Sequence, residues 1–187
     1  CLGAGVPGMS LVPVAVSYDL VLEDRVLARQ RVKRAQRAFS RELAEMVRYA
    51  VGYRSRAFVT FGCPIALDPY DGESRRSVLD LAHLVQQEIG RLYKVVPTAV
   101  LAAAMRPSIA TSDLSSRITA ILDTLAAGGA NLAVHTATDV LQQATEPLEA
   151  RGIIVVEQGR YRVRERTVLR YYGRSVQHLL AAGGATH

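Results

Sequence analysis

Leu11-Val-Pro-Val-Ala-Val-Ser-Tyr18 is a continuous apolar run that ends in two polar residues. Such a run is typical of a strand buried on both faces of a parallel sheet. Ala57-Phe-Val-Thr-Phe61 has the same character and is followed by turn residues. Between the two runs, apolar residues recur at three- and four-residue spacing, which predicts a long helix. Strand, helix and strand in this order predict a βαβ unit, with 11–18 and 57–61 as adjacent parallel strands. The helical stripe consists of Val32, Ala35, Phe39, Leu43, Met46, Val47 and Ala50.

The rest of the chain reads as a mostly helical region with one hairpin. Apolar periodicity predicts helices over residues 77–93, 97–105, 113–126, 138–150 and 167–182. Two β-rich segments, 153–156 and 161–163, flank Gln158-Gly159 and predict a hairpin. We therefore expect an α/β fold with two parts. Residues 1–75 form the C-terminal part of an α/β domain, and residues 76–187 form a helical region with its hairpin near 153–164.

Basic charge is concentrated in one stretch. The chain has a formal net charge of +6, yet residues 25–56 contain ten basic residues and only two acidic ones, Glu42 and Glu45, for a net +8. Such a patch indicates an anionic partner, which is a lipid headgroup, a nucleic acid or an acidic protein. A solvated helix face is the other interpretation of the same pattern.

Two histidine–carboxylate pairs have spacings that suggest a general base with an orienting acid. His83 and Glu88 are five residues apart, and this spacing puts them on different faces of a helix. His135 precedes a predicted helix whose first turn holds Asp139, where a carboxylate stabilises the helix dipole. No serine lies in a G-x-S-x-G motif. We therefore predict no catalytic residue within the chain.

The cysteine and glycine patterns add no cofactor or metal site. Cys1 and Cys63 have no companion at metal-ligand spacing. The glycines at 3, 5 and 8 match G-x-G-x-x-G, but they precede a strand, whereas the nucleotide-binding motif follows one. The uncharged residues 1–18 contain glycines and prolines that argue against a spanning helix. The first residue is not methionine, and we expect the chain to be a fragment.

Four segments resemble, in order, blocks of the glycerol-3-phosphate acyltransferases. Residues 11–23 are similar to the family's proline-bearing strand that leads to Tyr-Asp and a Glu. Residues 56–67 resemble its following strand and Phe-Gly-x-Pro-Ile turn, with Cys63 where Glu is common. Residues 95–102 resemble its Thr-Pro-Thr-Ala-Leu-Val segment. Residues 169–180 resemble its terminal Tyr-Tyr-x-Asn-Ser-Ile-x-His helix, with Arg174 in place of Asn.

The resemblance implies acyl transfer from acyl-CoA or acyl-carrier protein to the 1-hydroxyl of glycerol 3-phosphate, in phospholipid synthesis. The family's histidine–aspartate motif precedes the proline strand, so the catalytic pair is expected upstream of this chain. A lipid product implies a peripheral place at the cytoplasmic face of the cell membrane, and the basic stretch at 25–56 is expected to bind the anionic surface there. The resemblance also implies substrate-binding positions beside an acyl pocket. These positions are Val12, Pro13, Val14, Ser17 and Tyr18.

A nucleic-acid-binding module is the alternative function. Residues 113–164 follow the order helix, helix, hairpin of a winged helix. A recognition helix should present cations and amides to DNA. The candidate helix at 138–150 offers Gln142 and Gln143, but it also carries Asp139, Glu146 and Glu149 and no cation. We therefore expect no nucleic acid among the partners.

Overall fold

A computed structural model describes residues 7–21, 24–29 and 55–183, and these have a mixed α/β fold. The strands are β1 (Ser10–Leu11), β2 (Val14–Tyr18), β3 (Ala57–Phe61), β4 (Ile65–Ala66), β5 (Lys94–Val95), β6 (Ser108–Ala110), β7 (Asn131–Leu132), β8 (Ile154–Glu157) and β9 (Arg160–Val163). The helices are α1 (Asp24–Arg29), α2 (Arg75–Leu92), α3 (Pro97–Ala104), α4 (Thr111–Ala127), α5 (Ala137–Ala150), α6 (Arg166–Arg174) and α7 (Gln177–Gly183). The chain divides into two compact units, 1–17 with 58–94 and 18–57 with 95–187.

The predicted parallel βαβ unit is wrong, because the strands run antiparallel. β2 and β3 are neighbours, as expected. The amide of Gly62 donates to the carbonyl of Pro13 at 2.9 Å, and the amide of Asp19 donates to the carbonyl of Arg56 at 3.1 Å. From Pro13 to Asp19 the residue numbers rise, while those of the bonded residues fall from Gly62 to Arg56, which defines an antiparallel pair. The predicted helical stripe from Val32 to Ala50 lies outside the described residues, and α1 precedes it in the chain.

The physical reason for this error lies in the exposure of β2. A strand buried on both faces should hide every side chain, but burial along β2 alternates residue by residue. One face of the strand is therefore open, as antiparallel sheets allow. Because nearly every side chain in this run is apolar, its sequence does not show the alternation.

In the first unit, β1 and β2 are separated by a proline interruption. β1 pairs antiparallel with β4, with Leu11 opposite Ile65. Pro13 has no amide to donate and lies between the two strands, where a break in the ladder tolerates it. Ser74 is the N-cap residue of helix α2, and its hydroxyl accepts from the amide of Ser77. Leu81 is the buried residue of this helix, at 6% exposure.

In the second unit, α3 is the central helix. It is apolar almost throughout and buries seven of its eight residues. Helices α4, α5 and α6 all pack against it. At Gly173, an added Cβ would come within 3.3 Å of the backbone of Ala102, so this glycine allows α6 to approach α3 closely. The largest buried side chains of this unit form its core, among them Leu101, Leu114, Ile118, Leu125, Leu148, Ile153 and Val168.

The predicted hairpin is confirmed. β8 and β9 pair antiparallel, with Glu157 opposite Arg160. Gln158 and Gly159 form the turn with φ of 50° and 71°, as a type I′ turn requires. β6 adds to the other edge of β9, giving the strand order β6-β9-β8. Four predicted helices correspond to α2, α3, α4 and α5 to within two residues at each end. The last predicted helix is instead two, α6 and α7.

Candidate functional site

The five predicted substrate-binding residues do not share one face of the strand. Val12 and Val14 are exposed, at 46% and 39%. Pro13 is buried, and so is Ser17, whose hydroxyl accepts from the amide of Lys94 at 3.1 Å. Tyr18 is 52% exposed. Alternation along the strand therefore separates the two valines from Pro13 and Ser17.

An apolar strand face is the main surface feature of the first unit. Val12, Val14 and Val16 of one strand segment are exposed together with Val59 and Phe61 of its neighbour. Phe61 is 69% exposed, which is unusual for a large aromatic side chain. Exposed apolar patches of this kind mark interaction sites or ligand-binding surfaces. We call these five residues the apolar strand face.

In the second unit, the segment Asp19–Val21 receives contacts from three distant parts of the chain. Arg56 forms an ion pair with the carboxylate of Asp19. The hydroxyl of Thr98 donates to the backbone carbonyl of Asp19. The amide of Val21 donates to the phenolic oxygen of Tyr172 at 3.1 Å. Three side chains far apart in sequence thus hold one turn of backbone.

Burial sets the electrostatics of this segment. Asp19 is 7% exposed, and its Oδ1 has no hydrogen-bond partner among the described residues. Loss of hydration raises the pKa of the Asp19 carboxyl, and Arg56 opposes the rise by hydrogen bonding and by its charge. Asp19 is therefore less acidic than an exposed aspartate.

A buried polar cluster lies next to this segment, within the same unit. Asp24 is fully buried and accepts two side-chain bonds of 2.6 Å, one from Nη2 of Arg151 and one from the hydroxyl of Tyr172. Arg25 donates to the carbonyl of Arg151 at 2.9 Å. Burial raises the pKa of Tyr172, and its bond to Asp24 raises it further. Tyr172 therefore stays protonated and donates to Asp24, so we assign the cluster a role in stabilising the fold.

The histidine–carboxylate pairs do not form catalytic dyads. Glu88 pairs with Arg91 at 2.6 Å, and His83 is exposed on α2. His135 is exposed before α5, and Asp139 bonds Thr136, the N-cap residue of that helix. Both arrangements match the sequence interpretation. The described residues also contain no group of three or more histidine, cysteine or acidic side chains that could hold a metal ion.

Sequence reasoning missed three arginines that line one cleft of the second unit. Arg106 follows α3, while Arg166 and Arg170 lie one turn apart on α6. The four-residue spacing of Arg166, Arg170 and Arg174 is visible in the sequence and indicates a basic helix face. The addition of Arg106 to this face depends on the packing of α3 and α6.

Comparison with protein-family models gives no match, and comparison with curated proteins gives none either. Within the part of the chain that the structure describes, no helix is both long enough and apolar enough to cross a bilayer.

Proposed function

We propose that this chain is part of a glycerol-3-phosphate 1-O-acyltransferase, which transfers an acyl group from acyl-CoA or acyl-carrier protein. The observation that carries the proposal is the convergence on Asp19–Val21. Residues 11–23 resemble the proline-bearing block, and Arg56, Thr98 and Tyr172 each belong to one of the other three segments that resemble the family. Contacts among all four segments are what one ancestral domain would retain.

In the proposed reaction, a histidine outside these 187 residues removes the proton from the 1-hydroxyl of glycerol 3-phosphate. The oxygen attacks the thioester carbonyl, a C–O bond forms and the C–S bond breaks. The thiolate leaves and takes up the proton from the histidine. This assignment follows from the family resemblance, in which the histidine–aspartate motif precedes the proline-bearing strand.

The chain's own contribution in this proposal is the apolar strand face, which would contact the acyl chain. Val12 and Val14 lie on this face and are among the positions implied by the family resemblance. Burial of an acyl chain against it releases water from five apolar side chains, at about 25 cal/mol per Å² of buried surface. Pro13, Ser17 and Tyr18 would shape or border the pocket. The same proposal includes glycerol 3-phosphate as the acceptor and acyl-CoA or acyl-carrier protein as the donor. It also includes a peripheral location at the cytoplasmic face of the cell membrane, on its anionic surface.

The test uses the complete polypeptide that the gene encodes, purified in detergent. It is incubated with labelled glycerol 3-phosphate and palmitoyl-CoA or palmitoyl-acyl-carrier protein. We expect labelled 1-acylglycerol 3-phosphate. The Val14→Asp variant should lower the rate about tenfold, equal to about 1.4 kcal/mol.

Leu79→Asp is the matched control, because Leu79 is also an exposed apolar residue, at 49%, but lies on α2. It should keep nearly the full rate. Absence of product with both donors would refute the acyltransferase assignment. An equal loss of rate in Val14→Asp and Leu79→Asp would show that the apolar strand face has no specific role in the reaction.

A nucleic-acid-binding function is the second candidate, and the strand order of the second unit favours it. Helix, strand, two helices and a hairpin, with β6 beside β9, follow the winged-helix arrangement. The charge on α5 opposes it, since this helix exposes Glu146 beside Gln142 and has no cation. Fluorescence anisotropy with duplex DNA at two salt concentrations tests this function. Tight, salt-sensitive binding would make it the better proposal.

A further inference from the structure

We propose that the arginine-lined cleft between α3 and α6 binds a phosphate group carried on an apolar chain. The cleft has a volume of about 320 Å³. Its cationic residues are Arg106, Arg166 and Arg170, and no acidic residue lines it. This inference goes beyond the acyltransferase assignment and does not depend on it.

The three guanidinium groups are available to a ligand. All three residues are exposed, and within 7–21, 24–29 and 55–183 none forms an ion pair or a side-chain hydrogen bond. Guanidinium groups bind phosphate through paired N–H donors and keep their charge at any physiological pH. Three of them around one cleft indicate an anion with several acceptor oxygens.

The spacing along α6 is unfavourable unless an anion is present. Arg166, Arg170 and Arg174 follow one another at four-residue intervals. Like charges at this spacing repel each other and destabilise a helix. A bound phosphate would relieve the repulsion at the two arginines that line the cleft. These arginines should therefore strengthen binding of a phosphate but lower the stability of the unliganded chain.

The rest of the cleft is apolar, and this determines the second half of the ligand. Met105, Pro107, Val163 and Leu169 line it beside the arginines. Gly173 also lines it, where α6 lies close to the backbone of α3. A few methylene groups attached to a phosphate would contact this wall, while a fully hydrated anion would not use it. A cleft of this size suits the phosphate end of a lipid or of a phosphate ester with an alkyl group.

The experiment measures binding to the full chain by isothermal titration calorimetry, with inorganic phosphate and monohexyl phosphate as probes. We expect monohexyl phosphate to bind more tightly. Arg106→Gln, Arg166→Gln and Arg170→Gln should each weaken its binding about tenfold, as loss of a charged hydrogen bond predicts. Met105→Gln should weaken binding of monohexyl phosphate and leave that of inorganic phosphate unchanged.

Arg174→Gln is the matched control, since Arg174 is exposed on the same helix but does not line the cleft. It should bind like the parent chain. The unliganded Arg170→Gln variant should unfold at the same temperature or higher, which separates lost binding from lost folding. If Arg174→Gln weakened binding of monohexyl phosphate as much as the three cleft variants do, binding would depend on the overall charge of the helix and not on the cleft, and the proposal would be overturned. Equal affinity for inorganic phosphate and monohexyl phosphate would also overturn it.

Vesicles distinguish the two sources of the phosphate. If the ligand is a lipid, phosphatidic acid in phosphatidylcholine vesicles should compete with monohexyl phosphate, and pure phosphatidylcholine should not. If the ligand is a free ester, coenzyme A should compete and the vesicles should not. Competition by none of these phosphates would contradict the proposal.

Discussion

The phenolic oxygen of Tyr172 lies 2.6 Å from Oδ2 of Asp24, although 148 residues separate the two in sequence. The same phenol accepts a bond from the amide of Val21, and the other oxygen of Asp24 bonds Arg151. The cluster thereby links the segment after β2 to the C-cap residue of α5 and to α6. Loss of one member of such a buried network leaves polar groups without hydrogen-bond partners, which lowers the stability of the fold.

We therefore expect Tyr172→Phe to destabilise the chain, because it removes both a donor to Asp24 and an acceptor for Val21. The expected loss is about 1–3 kcal/mol in the free energy of unfolding. Asp24→Ala takes the carboxylate away from buried Arg151, and this should cost more, about 3–5 kcal/mol. Urea denaturation followed by circular dichroism measures both losses. Tyr70→Phe is the control and should stay within about 0.5 kcal/mol. An equal loss for Tyr70→Phe would contradict this account.

Asp19 gives a pH dependence of stability with a definite sign. Its pKa is raised from 3.8 in the folded chain, so above that pH the folded state holds the proton longer than the unfolded state. Asp19 therefore lowers the free energy of unfolding as the pH rises from 3.8 through the raised pKa. The Asp19→Asn variant lacks this contribution and should gain stability relative to the parent chain over that range.

Thermal unfolding of both proteins at closely spaced pH values between about 3.5 and 6 measures the difference, and other carboxyl groups cancel in the comparison. A relative gain by the parent chain as the pH rises would mean that the ion pair with Arg56 outweighs burial. That result would reverse the assigned direction.

Two helical glycines should respond in opposite ways to alanine. At Gly90 an added Cβ meets nothing within 4 Å, so Gly90→Ala should stabilise α2 by about 0.5–1 kcal/mol through helix propensity. At Gly173 the new Cβ would lie 3.3 Å from backbone atoms of Ala102 and Ala103, which cannot rotate away. We expect Gly173→Ala to destabilise the chain, with overpacking costing about 1–3 kcal/mol. Denaturant midpoints decide the signs, and a gain at Gly173 would show that α3 and α6 can separate at little cost.

The basic stretch at 25–56 is predicted to bind anionic membrane. Most of it lies outside the described residues, so this prediction rests on sequence. Each basic residue near an anionic surface contributes on the order of 1 kcal/mol, and salt screens the effect. Co-sedimentation with anionic vesicles should fall at high salt and in a variant with Arg34, Arg37 and Arg41 changed to Gln. Equal binding to neutral vesicles, or tighter binding to DNA at matched salt, would rule the prediction out.

Local signals in the sequence were sufficient for much of the fold. Gln158-Gly159 predicted a hairpin because a tight turn needs two residues that tolerate positive φ, and the structure has that turn. Apolar periodicity placed α2 to α5, because a helix that packs on a core must repeat its apolar residues every turn. The same helical spacing predicted that His83 and Glu88 lie on different faces of their helix.

Strand direction and side-chain convergence were decided only by the tertiary structure. An all-apolar run such as 11–18 does not encode which face is covered or which way its partner runs, because hydrogen bonding is possible in either direction. The contacts of Asp24 with Tyr172 and Arg151 depend on how helices pack across long stretches of chain, and so does the placement of Arg106 and Arg170 around one cleft. Close approach at Gly173 brings α3 and α6 together, and side chains of both helices then line the cleft between them.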